Sequence, residues 1–94
     1  MMEEIIYYSD LFDYYKGLFT KTQQDYFIDY YFNNLTQEEI ADNYHVSKNA
    51  ISKTLKEVKE KLDYYEEVLA LYKNRKKIKE LLSSSEFDKI SNYI

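Results

Sequence analysis

Two helix-starting signals, at Thr36 and at Ser47, stand so close together that the chain between them has room for one short helix and a tight turn. Thr36 and Glu39 form a capping-box pair, in which the hydroxyl accepts from the Glu39 amide while the carboxylate reaches back to the Thr36 amide. Ile40, Ala41 and Tyr44 then fall on one face of the helix so begun. Apolar periodicity lapses from Asn43 to His45, which ends that helix, and Ser47 is a strong N-cap for the next. Val46 is expected to dip into the core between them, and Ala41 offers a small side chain where two steeply crossing helices bring their backbones together. The unit reads as a helix-turn-helix, whose second helix can lie in the major groove of duplex DNA.

That second helix turns Ile51 and Leu55 toward the body and leaves Lys48, Asn49, Ser52, Lys53 and Lys56 outside, with Ser47 at its head. An Asn amide suits adenine and a Lys ammonium suits guanine, so this face carries groups able to read base edges. Lys56, Lys59 and Lys61, with Thr36 and Gln37, suit phosphate oxygens, which set register rather than sequence. The plain alternative is a two-helix shape used only for packing or protein contacts. Alternating Glu and Lys would be the more usual outer face in that case.

Upstream, Ile5, Tyr8, Leu11, Phe12, Tyr15, Leu18 and Phe19 recur at spacings of three and four, which predicts a helix over 3–19 with Gly17 near its end. Thr20 and Gln23 repeat the capping pattern and open a second helix that turns Phe27, Ile28, Tyr31 and Tyr30 inward. Asn33 and Asn34 stop it, and Leu35 is placed as a hydrophobic staple before Thr36. Downstream, Ile51, Leu55, Val58, Leu62, Tyr65, Leu69 and Tyr72 form a sustained heptad seam. A second row, Tyr64, Val68, Leu71, Arg75, Ile78 and Leu82, runs beside it. One helix over residues 48–82 would be on the order of 50 Å long, too long for so small a body to cover. Asp63 and Glu66 could cap a fresh start, so a break or bend is expected near residues 61–63. Between Tyr64 and Tyr72 both rows are apolar, a face wide enough to close the monomer on one side and meet a second copy on the other. Tyr64, Tyr65, Val68, Leu69, Leu71 and Tyr72 are the expected dimer residues. Ser83 to Ser85 cap a last short helix bearing Phe87, Ile90, Tyr93 and Ile94, folded back on the preceding one.

With no Pro and one Gly in 94 residues, turns must come from Asn, Ser and Thr, and an all-α bundle ending in a long helix or helix pair is the expected fold. One domain over 1–94 is expected, with 63–94 as its helical extension. The absence of Cys excludes disulfides and thiolate metal sites. No run approaches the ~18 apolar residues of a membrane span, and the start is acidic where a signal peptide is basic, so a cytoplasmic location without membrane insertion is expected. The net charge of −4 argues against nonspecific coating of nucleic acid. Its distribution is uneven: residues 1–46 carry two basic and nine acidic groups, a balance of −7, and residues 47–94 eleven and eight, a balance of +3. Because screening confines exposed charge to about 8 Å at physiological salt, the local surface outweighs the total.

Enzymatic constellations and cofactor motifs are missing: His45 is the one histidine, no Gly-rich phosphate loop occurs, and no inward carboxylate pair follows from the helix phases. His45 lies in the turn, where a residue tolerant of positive φ is common. The tyrosine pairs (7–8, 14–15, 30–31, 64–65) place one ring in the core and one at its rim, rather than forming a stacking platform for bases. The densest basic run, Lys73, Arg75, Lys76, Lys77 and Lys79, reads either as a solvated helix face or as a contact for phosphate or an acidic partner.

The stretch from Thr36 to Ser52 resembles region 4 of bacterial sigma factors, whose helix-turn-helix reads a promoter element. The whole chain resembles something narrower. The start at 11–23, the aromatic run at 26–32, the motif, and the later 65–72 together look like the YlxM family, small helical proteins of low-GC Gram-positive bacteria and their relatives that are encoded beside signal recognition particle genes. The resemblance covers nearly the full length. It implies a helix-turn-helix DNA-binding protein, a regulator of the targeting pathway and a dimer. An adaptor of the signal recognition particle, touching its protein or RNA through the basic run at 73–79, is the rival. Carried over by position, the sigma-like base readers fall on Lys48, Asn49, Ser52 and Lys53, where sigma factors commonly show arginines.

Overall fold

The computed structural model describes residues 2–94. Six α-helices follow one another, α1 Met2–Tyr15, α2 Lys21–Tyr31, α3 Gln37–Tyr44, α4 Lys48–Leu69, α5 Leu71–Leu81 and α6 Ser84–Ile90, and no strand occurs among the described residues. Local chemistry explains most of the starts. Thr20 with Gln23, Thr36 with Glu39 and Ser83 with Glu86 each form a complete capping box, and Ser47 accepts from the Ala50 amide at 3.0 Å. Three of the stops use left-handed residues other than glycine, at Asn34, His45 and Ala70. Asn34 (φ 57°) lets the Leu35 amide reach the Asp29 carbonyl, and His45 (φ 57°) closes α3 by sending its own amide to Asp42 and that of Val46 to Ala41.

α4 is the spine, with α1, α2 and α3 all packed along it. Its inner row, Ile51, Leu55, Val58 and Leu62, is buried against Leu11, Phe12, Tyr15 and Phe19 from the first helix and its exit, Tyr26 and Phe27 from α2, and Ile40 and Ala41 from α3. The rings interlock: Phe12 stacks on Phe27 at 4.4 Å, and Phe27 on Tyr31 at 4.2 Å.

Several expectations give way here. α1 stops at Tyr15, and Lys16–Leu18 form a 3₁₀ turn in place of a helix running to residue 19. That tighter turn sends Leu18 outward and Phe19 inward, and the Gln24 amide donates to the Lys16 and Phe19 carbonyls at 2.9 and 3.1 Å. Ile5 stays exposed because the first turns of α1 run past the end of the core. Tyr26, not among the expected inward residues, is buried with its ring edge-on to Tyr44 at 5.0 Å. Val46 does not enter the core; it remains 38% exposed, since the left-handed His45 carries the chain around the outside of the turn.

The break expected at residues 61–63 is absent. α4 runs unbroken to Leu69, and the chain turns at Ala70 (φ 52°). The two acids do different work. Asp63 accepts from the Tyr8 hydroxyl at 2.9 Å, which ties α4 to α1. Glu66 does cap a fresh helix, but that helix is α5: its carboxylate accepts from the Tyr72 and Lys73 amides at 3.1 and 2.9 Å and from the Tyr15 hydroxyl at 2.7 Å. Tyr15 in turn accepts from the Leu71 amide at 3.0 Å. α5 then lies on α1 through Tyr72, whose ring meets those of Tyr7 and Tyr14, and α6 folds back to seat Phe87 under Arg75 and Lys79.

Candidate nucleic-acid interface

The short α3, the left-handed His45 and the capped start of α4 form the helix-turn-helix. Ile40 and Ala41 are buried beneath it and Ile51 and Leu55 pin α4, so the outward face of α4 from residue 47 to 56 is presented on a rigid base. Lys48, Asn49, Lys53 and Lys56 are exposed on that face. Ser52 is half-buried and donates its hydroxyl to Gln37, which ties this face to α3. Lys48 lies 3.5 Å from Glu38, with both side chains mostly in solvent, a pairing of small energy that a stronger anion can displace. Thr36 and Ser47 use their oxygens as acceptors for the caps, which leaves their hydroxyl hydrogens able to donate outward.

Lys59 is drawn away from this surface. It forms an ion pair with Glu4 and lies 4.9 Å from the Tyr8 ring centroid, and the nearby ammonium holds the Glu4 carboxyl below its usual range. A partner 55 positions away leaves no local sequence signal. Lys56 is exposed without such a partner among the salt bridges of the described residues.

The basic run on α5 is not one continuous face. Lys73, Lys76 and Lys77 line an open groove of about 660 Å³ together with Glu66, Glu67 and Glu80. Arg75 and Lys79 lie on the other side, where the guanidinium is 5.2 Å and the ammonium 5.7 Å from the Phe87 ring centroid. The six residues of the wide apolar face divide as well. Tyr65 and Tyr72 pack against the core, whereas Tyr64 and Val68, both 60% exposed or more, point outward with Leu69 and Leu71. Among the described residues no cluster of three metal-ligating side chains occurs, and no helix is long and apolar enough to cross a membrane.

Comparison with known proteins agrees with this geometry. The UPF0122 family model, described as "Putative helix-turn-helix protein, YlxM / p13 like", matches residues 2–92. A UPF0122 protein of Bacillus pumilus is 43% identical over 72 residues, covering 77% of this chain and 66% of its own. One from Bacillus licheniformis is 43% identical over 75 residues, covering 77% and 70%. A third, from Ureaplasma urealyticum, is 44% identical over 71 residues, covering 76% and 72%. The chain thus spans about two thirds of the length of these relatives. On a match that runs almost end to end, and on a helix-turn-helix present in the fold itself, the chain belongs to the UPF0122 family of YlxM/p13-like proteins.

Proposed function

We propose that this is a sequence-reading duplex-DNA-binding protein that works as a homodimer in the cytoplasm. The observation that carries the reading is the outer face of α4: Lys48, Asn49 and Lys53 are exposed at the start of a firmly seated helix, at the position from which a recognition helix enters the major groove. In this reading Lys48, Asn49 and Lys53 meet base edges, and Ser52 reaches them by exchanging its bond to Gln37. Thr36, Gln37, Ser47 and Lys56 hold phosphates. The outward Tyr64, Val68, Leu69 and Leu71 make the dimer contact, which Tyr65 and Tyr72 support from beneath. Regulation of the protein-targeting pathway is the cellular role that the family resemblance supports.

The adaptor reading uses Lys73, Arg75, Lys76, Lys77 and Lys79 to touch a component of the signal recognition particle. It has less support, because acids share the groove with three of these cations and Phe87 lies under the other two. Selection from a random duplex library tests the proposal. Enriched duplexes are expected to share a sequence word, and their affinity to fall linearly in log salt with a slope set by the few phosphates neutralised. Salt-dependent binding without a shared word would reduce the reading to phosphate attraction; no binding at low salt would overturn it.

A further inference from the structure

We infer that the α1 surface seating α5 is a docking site for α5 of a second copy, reached when the bend at Ala70 straightens and α4 and α5 become one helix. This deepens the homodimer of the proposed function and does not depend on DNA binding.

Three independent observations carry it. The first is the hinge: one residue, Ala70, separates two helices and holds φ 52°. Ala is the best helix former, and a left-handed Ala is disfavoured by roughly tenfold or more in population, where Gly or Asn would be at ease. Short hinges under strain are the setting in which segments exchange between copies. The second is register. The rows Leu62, Tyr65, Leu69, Tyr72 and Tyr64, Val68, Leu71, Arg75, Ile78 keep their three-and-four spacing straight through the bend, as one helix requires. The third is how the bend is held. Beyond it, α5 buries no residue completely and α6 only Phe87, so the fold-back rests on Tyr72 between Tyr7 and Tyr14 and on the polar latch of Glu66 and Tyr15 at the Leu71, Tyr72 and Lys73 amides. Those three amides find in-helix carbonyls once the helix is continuous, so the straight form strands none of them.

A single straight chain would leave Tyr7 and Tyr14 uncovered and carry α5 into solvent on a helix of about 50 Å. A second copy removes both costs. Each arm lies on the other's α1, reproducing the ring contacts already present, and the exchange closes as a two-fold dimer. The occupant is therefore another copy, because the surface is already shaped to this chain's own α5.

The test uses the full chain, which has no native cysteine. Tyr7→Cys with Tyr72→Cys places thiols at a contact whose rings are 5.8 Å apart. The dimer fraction, isolated by mass in light scattering, is treated with a short bismaleimide and run under denaturing conditions. A covalent dimer is the expected result. A dimer by mass that links only within each chain would overturn the exchange while sparing the dimer, and a monomer at all concentrations up to the millimolar range would overturn both. On the otherwise native chain, Ala70→Gly should weaken dimerisation by at least about a hundredfold, since Gly relaxes the bend and penalises the continuous helix in both copies. Glu66→Ala, which opens the latch, should strengthen it. An unchanged dimer constant in Ala70→Gly would overturn the exchange even if the double-cysteine chain failed to fold.

Discussion

His45 holds a left-handed backbone at the turn of the motif, and that geometry explains the residue without a chemical role for its ring. His45→Val should lower unfolding free energy by about 1–2 kcal/mol and His45→Gly should leave it nearly unchanged, as read by urea denaturation. Ala41, 5% exposed, should tolerate nothing larger; Ala41→Leu is expected to cost about 1–3 kcal/mol by overpacking the α3–α4 crossing. The caps at Thr20, Thr36, Ser47 and Ser83 were legible in the sequence because each needs a partner only three residues away. Residues whose fate depends on distant partners were not. Lys59 reads as a phosphate contact until Glu4 is folded against it, and Ser52 reads as free until α3 brings Gln37 over it.

At the level of helices, periodicity placed the inner row of α4 correctly, from Ile51 to Leu62. It could not place the end of α4, because the heptad pattern runs straight past Ala70 with no Gly or Pro to mark a stop. The bend is fixed by Glu66, which caps α5 from the end of α4, and by the Tyr15 hydroxyl from α1, rather than by the residue type at 70. α6 illustrates the opposite case, a short helix begun by its own capping box and anchored by one ring. Ser83→Ala should fray it, raising amide exchange at residues 84–88 and lowering local stability by about 1 kcal/mol, with little change at α4. The Glu86 carboxyl is held below its usual value by the Ser83 amide and hydroxyl, so this cap is complete above about pH 4.5 and weakens as the pH falls through the lowered value.

Across the whole molecule, the Tyr8 and Tyr15 hydroxyls tie α1 to α4 and α5, which makes the fold sensitive to alkali. Burial, followed by the hydrogen bond to Glu66, pushes Tyr15 up to about 12 from an ordinary 10.0, and burial pushes Tyr31 up to about 12. A folded state that keeps these protons longer than the unfolded chain binds more of them between those values, so stability is complete below about pH 10 and declines as the pH rises toward 12. Helicity and phenolate absorbance followed together should show a first group of tyrosines ionising without loss of helix and a second ionising as the helices melt. The 49 × 24 × 23 Å body keeps its exposed lysine-bearing face at the start of α4 and its outward apolar corner at the far end of that helix. A two-fold dimer of such bodies should therefore select paired half-sites. The central claim is that the face between residues 47 and 56 enters a DNA groove, and fluorescence anisotropy with a selected duplex tests it most directly. Lys48→Ala with Lys53→Ala should weaken binding by at least about thirtyfold and flatten the salt dependence, while Lys76→Ala with Lys77→Ala leaves affinity within about threefold. Retained affinity in the first pair and loss in the second would contradict it.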